Sequence, residues 1–394
     1  VPSKALIKSA KVARTMRTAD QYGLTATDPR PDFRAIMARV EQIVAAIEPH
    51  DSVERFTGLG VDVEQGHATI VDPWTVDIRR HDGSIQRLTT RSIVIAAGAA
   101  PAIPDIPGLA DSGYVTSDTL WERFAALDHI PERLVVLGGG PIGCELAQAF
   151  ALLGASVTQV EVAPRLLLRE DDDVSAAALA SQQAVGVDVR LNSRAVRCEG
   201  GQGDRRLVIA AADGSETALP YDALLVAVGR QARLTGYGLE ALGIDTDRTV
   251  ATDDYLATLY PNIYAAGDVA GPYQLTHVAS HQAWFATVNA LFGQFKRFKA
   301  DYRVIPAVTF LDPEIARVGL NEREAAAQGI AVDVTTYGLD DLDRAIADGT
   351  AHGFVKLLTA AGKDRIVGAT IVGAQAGEML SEFAPFDPAF TGGV

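Results

Sequence analysis

The chain has 394 residues, 48% of them hydrophobic and 22% charged, with 35 basic against 50 acidic residues and a formal net charge of −15. This is the composition of a folded globular chain of two to three domains, and its acidic balance excludes nucleic acid as an expected partner, because duplex binding draws on Lys and Arg to neutralise phosphates. No apolar run reaches the ~18 residues of a membrane span and no signal-peptide pattern opens the chain, so no membrane partner is expected.

Residues 4–19 alternate basic and apolar positions at helical spacing, and a second helix is expected over Phe33–Ile47. Short strand-like runs follow at Ala68–Val71, Thr75–Arg79 and Ser92–Ala96, with Asp82-Gly83 as a turn. The proline-rich Ala99–Gly108 reads as a rigid connector. Leu134–Leu137, Gly138–Gly143, Cys144–Leu153 and Val157–Val160 then spell strand, turn, helix and strand. A helix over Val174–Ala184 precedes strands near Val187–Leu191, Leu207–Ala210 and Ala223–Val228. A buried strand is expected over Asn262–Val269 and a helix over Ala279–Phe292. Beyond Ile305, strands at Ala307–Phe310, Phe354–Leu358 and Ile366–Ile371 interleave with helices at Glu322–Gln328 and Ala376–Phe383. Both ends read as cut: Val1 opens directly into a helical pattern, and Pro385–Val394 closes without periodicity.

The turn carries Gly138, Gly140 and Gly143 at the G-x-G-x-x-G spacing, with an apolar strand before it and a small-residue helix after it. Gly138 permits the tight turn, Gly140 lets backbone approach a pyrophosphate, and Gly143 lets the helix pack against the strand. The helix N-terminus, entered through Gly139, Pro141 and Ile142, offers free N–H groups to phosphates. Glu161 ends the second strand 21 positions after Gly140. It stands where an acid hydrogen-bonds a ribose 2′-OH, which favours NADH, with NADPH as the alternative; Arg165 nearby could soften that preference. The plainer readings are a tight turn and a solvated strand end. The only cysteines, Cys144 and Cys198, lie far apart, with no metal-type Cys/His spacing. They suit a reducing, cytoplasmic setting without a metal site, and Cys144 is expected to be a packed residue rather than a nucleophile.

Five ordered motifs carry a resemblance: Val1-Pro-Ser-Lys4, Gly138–Glu145, Gly229-Arg230, Ala265-Ala-Gly-Asp268 and Thr309-Phe-Leu-Asp-Pro-Glu314. The chain resembles the FAD-dependent pyridine nucleotide–disulfide oxidoreductases, and within them the mercuric reductase-like and dihydrolipoamide dehydrogenase-like members. The resemblance implies an α/β fold of FAD- and NAD(P)-binding Rossmann-like domains with a C-terminal α+β interface domain that forms a homodimer. Its expected segments are 1–113 and 235–302 for FAD, 114–234 for NAD(P) and 303–394 for dimerisation. It also implies that a flavin-binding segment and a redox cysteine pair precede Val1, and that a His base follows the last residue.

The family's site residues carry over position by position. Lys4 and Glu145 would pair beside the flavin. Asp268, after Gly267, would accept a hydrogen bond from a ribityl hydroxyl. Leu275, Thr276 and His277 would open the helix that points at the flavin, through backbone N–H groups rather than the imidazole. Gly98 and Gly229 end strands at cofactor edges, and Gly60 and Val196 match contact positions. Gln231-Ala232 departs from the Pro-Asn usual after Gly-Arg. The implied function is hydride transfer from NAD(P)H through FAD to a disulfide, dithiol or mercuric-type small-molecule substrate. The alternative is a non-catalytic NAD(H)-binding fragment or sensor.

Overall fold

Residues 1–201 and 203–383 are described by the computed structural model. They divide into one unit made of 1–46, 103–229 and the segment from 303 onward, and another made of 47–102 and 230–302. The expected irregular ending Pro385–Val394 lies outside the described residues.

The first unit is built on a five-stranded, all-parallel sheet in the order Val115–Thr116, Ala223–Val226, Arg133–Leu137, Ser156–Val160, Asp188–Arg190. Parallel strands are covered on both faces and so read as continuous apolar runs. Leu134, Val135 and Val136 accordingly lie within the core. The helix Pro141–Leu152 starts with proline at its first position, where no N–H is needed. The backbone then turns at Gly154, whose φ is 111°. Helix Pro2–Arg17 places Leu6 and Ala10 in the same core as Phe150. Phe33, Phe124 and Phe150 close that core as a ring cluster with centroids 5.5–6.5 Å apart.

Two antiparallel sheets complete this unit. A three-stranded meander links Arg194–Glu199, Arg206–Ala210 and Glu216–Pro220. A five-stranded sheet runs Pro306–Thr309, Glu314–Gly319, Ile366–Gly373, Phe354–Ala360, Val332–Gly338. An ionic cluster joins the latter to the helix Asp172–Ala184. Lys356 Nζ lies 2.6 Å from Asp173, 2.7 Å from Glu322 and 3.4 Å from Asp171, while Arg317 pairs with Glu170 and Glu324.

The second unit has its own apolar cores. It contains an antiparallel meander, His67–Asp72, Thr75–Arg79 and Ile85–Thr89, and a parallel pair, Ile93–Ile95 with Ile263–Ala265. The opening of the proline-rich connector is a strand: Ala99–Pro101 pairs with Arg230–Ala232. The single strand expected over Asn262–Val269 is instead a three-residue strand followed by a helical turn, Gly267–Val269, because Gly267 turns the backbone at φ 81°. The helix expected from Ala279 begins at Thr276 and runs to Phe292. The last expected helix shortens to Ala376–Met379 plus a 3-10 turn. Among the described residues, no helix is long and apolar enough to cross a membrane.

Candidate functional site: a glycine cradle at the end of the parallel sheet

The chain leaves the strand Arg133–Leu137 through three glycines that do different work. At Gly138 φ is 120°, and an added Cβ would sit 2.3 Å from the Ala227 carbonyl oxygen. At Gly143 it would sit 2.2 Å from the Gly138 oxygen. Both glycines are therefore required by the packing of turn, strand and helix. Gly140 is different. Its backbone is extended, with φ −78°, and nothing lies within 4 Å of its Cβ direction. The fold does not need a glycine there, and the space it leaves opens at the first turn of Pro141–Leu152. That helix start carries no side-chain cap and no acid in its first turn.

Neighbouring side chains fix the turn. Gln159 donates from Nε2 to the Gly138 oxygen at 3.0 Å. The Gly139 oxygen accepts from Leu167 N–H at 2.8 Å and from Cys144 Sγ at 3.4 Å. The Gly139 N–H donates to Glu161 Oε2, and Ala163 N–H donates to Oε1 at 2.7 Å. The carboxylate is thus held at the strand end beside the turn. A cavity of about 490 Å³ opens there, lined by Gly138, Gly139, Gly140, Pro141, Ile142, Glu161 and Gly229 among others. Gly143 lies beneath it as packing, and Glu145 is not in its wall. Nor is Val196; Ala195 lines the cavity instead. A β-bulge between Ala195 and Arg197 breaks the alternation of that strand, so its facing residue is not readable from spacing.

Arg165 is not available to a nucleotide. Its Nη1 donates to the Glu170 oxygen and Ser175 Oγ, both at 2.7 Å, its Nη2 donates to the Leu168 oxygen at 2.7 Å, and its Nε pairs with Asp172 at 3.3 Å. Sequence reasoning missed three participants: Gln159, Ser193 and Arg194. The first has a signal, an amide in the apolar run Val157–Val160; the other two stand at the entry to the strand Arg194–Glu199, which no local spacing announces. Cys144 is fully buried, and loss of solvation pushes its thiol up to about 12. It is a packed residue, as expected.

Of the residues that the resemblance assigns to a flavin, Lys4 and Glu145 lie in the first unit, where Lys4 Nζ donates to Glu145 Oε2 at 2.7 Å. Glu145, 4% exposed, also accepts from Phe310 N–H at 3.0 Å, and Lys4 Nζ lies 4.5 Å from the Phe310 ring centroid. The ammonium remains partly exposed, so the pair holds a cation at a defined place.

In the second unit, Gly60 and Gly98 have φ of 86° and 66°, and Gly98 accepts from Arg233 N–H at 3.0 Å. The Gly267 N–H donates to buried Gln282 at 2.7 Å. Asp268, half-buried, pairs with Arg230 at 3.7 Å. Leu275 is the N-cap of Thr276–Phe292 and supplies no side-chain cap. Thr276 and His277 stand exposed in that first turn, at the positive end of the helix dipole. Among the described residues, no group of three or more His, Cys, Asp or Glu could hold a metal ion.

Residues 1–283 match the family model described as pyridine nucleotide-disulphide oxidoreductase, and residues 305–386 match the dimerisation domain of the same family. The mercuric reductase of Streptomyces lividans is 33% identical over 97% of this chain and 79% of its own length. The dihydrolipoyl dehydrogenase of Chlamydia muridarum is 32% identical over 97% of this chain and 80% of its own. Among solved structures, LpdA from Mycobacterium tuberculosis superposes with a TM-score of 0.85 at 28% identity, covering 98% of this chain and 82% of its own. The HOCl-induced flavoprotein disulfide reductase RclA from Escherichia coli gives 0.79 at 26%, covering 97% and 82%.

Proposed function

The chain belongs to the pyridine nucleotide-disulphide oxidoreductases, a family of NAD(P)H-dependent FAD oxidoreductases, and on that premise we propose that it takes hydride from a nicotinamide dinucleotide bound at the Gly138–Gly143 turn, with NADH preferred. The observation that carries this reading is Gly140: a glycine that the packing does not require, beside an uncapped helix start and in the wall of the cavity. Glu161, held by two backbone N–H groups, keeps lone pairs to accept from a ribose diol and disfavours a 2′-phosphate.

FAD, when bound, supplies two-electron acceptance from the nicotinamide. By the resemblance, the residues that would hold it are Lys4, Glu145, Gly60, Gly98, Gly267, Asp268, Leu275, Thr276 and His277. Asp268 offers a hydroxyl acceptor. The start of Thr276–Phe292 offers N–H groups to developing negative charge, and Lys4 offers a fixed cation that favours a reduced, anionic ring. The acceptor beyond the flavin is a disulfide, a dithiol or a mercuric-type substrate, in keeping with the relatives' names. The match at 305–386 supports a homodimer.

A second reading, a non-catalytic NAD(H)-binding fragment or sensor without flavin, is favoured by one observation. Neither Cys144 nor Cys198 is activated as a nucleophile: burial pushes both thiols up.

The test is titration of wild type and Gly140→Ala with NADH, followed by nicotinamide fluorescence. The variant should keep its melting temperature and bind NADH at least roughly tenfold more weakly, since a methyl fills the pyrophosphate approach. Equal affinity would sink the assignment. Stoichiometric FAD that bleaches with NADH would rule out the second reading.

A further inference from the structure

The cavity wall contains one basic side chain among the described residues, Arg194, and two acidic ones, Asp105 and Glu161. The other guanidinium groups near Glu161 are committed. Arg165 is bound into its own loop as described above. Arg190, whose carbonyl accepts from Glu161 N–H at 2.9 Å, pairs through Nε with Asp188 at 2.9 Å. Arg194 is exposed, and among the described residues its guanidinium has no hydrogen-bonded or ion-paired partner.

Its place along the cavity is fixed by backbone. Ser193 N–H donates to the Glu161 oxygen at 3.0 Å, and Asn192 N–H donates to the Ala163 oxygen at 3.1 Å. The residue next to Ser193 therefore enters the wall at the Glu161 end, where the adenosine ribose would lie, rather than at the Gly140 end, where the pyrophosphate would lie. Glu161 cannot turn away to admit an anion without giving up both of its N–H donors. Val162, which lines the same end, is apolar. Recognition of a phosphate on the ribose thus falls to Arg194, whose fork suits a phosphate and needs no partner to be broken first.

Resting on the nucleotide reading above, we infer that Arg194 is the specificity-determining residue of the adenosine end: it engages a ribose 2′-phosphate and lets the chain bind NADPH as a second, weaker nucleotide beside NADH.

The experiment is equilibrium titration of the whole chain and of Arg194→Gln and Arg194→Lys with NADH and with NADPH, at low and at moderate salt. Wild type should bind both, NADH more tightly. Arg194→Gln should weaken NADPH by roughly tenfold, as loss of one charge-assisted contact implies, and NADH by less than about twofold. Arg194→Lys should restore part of the NADPH affinity. Added salt should weaken NADPH binding to wild type more than to Arg194→Gln. Equal weakening of both nucleotides would place Arg194 on the shared pyrophosphate and overturn the inference. So would unchanged NADPH binding, or NADH binding with no detectable NADPH binding in wild type. Failure of wild type to bind either nucleotide would instead overturn the underlying assignment of the cradle, and the inference with it.

Discussion

Replacing Lys356 by Met tests how the antiparallel C-terminal sheet is held to the helix Asp172–Ala184. Lys356 is 1% exposed and faces three carboxylates, Asp173 at 2.6 Å, Glu322 at 2.7 Å and Asp171 at 3.4 Å. Breaking a buried ion pair from one side costs about 3–5 kcal/mol. The low end applies here. The Asp173 and Glu322 side chains are each 45% exposed and can return to water. Asp171, 5% exposed, cannot, but it keeps the N–H groups of Glu322 and Arg323, each at 3.2 Å. Met replaces the aliphatic stem, so no cavity adds to the loss. The expected change is about 3 kcal/mol in the unfolding transition of the first unit, read by urea denaturation with far-UV circular dichroism at neutral pH.

Asp171→Asn in the Met background should recover part of that loss, since it removes the stranded charge. Burial opposes the Lys356 charge, but hydrogen bonds and attraction from Asp173, Glu322 and Asp171 outweigh it and raise its pKa. The folded value lies above the unfolded one, so the stabilisation is complete below the ordinary lysine range and is lost as pH climbs through the folded value. The control is Arg344→Ala. Arg344 pairs with Asp348 while 87% exposed, and its removal should leave the unfolding midpoint at the wild-type value, because an exposed pair is screened by solvent. A loss below about 1 kcal/mol for Lys356→Met would refute the reasoning, because the three carboxylates would then need no cation.

Two further outcomes follow from the turn. Gly143→Ala places a methyl 2.2 Å from the Gly138 carbonyl, an overpacking of backbone on backbone that should cost about 1–3 kcal/mol; a melting temperature equal to wild type would contradict the close helix–strand contact. Cys144, its thiol pushed up to about 12 by burial, should resist alkylation by iodoacetamide at pH 8 in the folded protein and react on unfolding; fast native labelling, located by peptide mass, would overturn its role as a packing residue.

The parts of the site that were legible are those written locally. An apolar strand, three glycines, a small-residue helix and an acid after the next strand all lie between Leu134 and Glu161, and each glycine has a steric or binding reason that the pattern anticipates. Lys4 and Glu145 came from the resemblance, not from spacing: 141 positions separate them, and nothing in either segment alone marks the pair. What stayed hidden depended on long-range register. Lys356 sits in Phe354–Ala360, where a lysine between apolar residues reads as a solvent-facing position; the acids that bury it come from 171–173 and 322. Arg165 seemed close to a nucleotide because it follows Glu161 by four positions, yet its loop turns the guanidinium back on residues 168–175.

Arg194 shows the same limit in reverse. Sequence places it 33 positions beyond Glu161, at the start of a strand whose bulge moves the cavity-facing side chain from Val196 to Ala195. The backbone bonds from Ser193 to Glu161 and from Asn192 to Ala163 bring it beside the acid. Selectivity between NADH and NADPH therefore cannot be read from the acid alone. On the proposed nucleotide reading, Glu161 would act on the ribose diol through lone pairs fixed by Gly139 and Ala163, and Arg194, from another strand, lines the same cavity. On that proposal, the balance between those two groups, rather than the identity of either, would set which nucleotide the cradle holds.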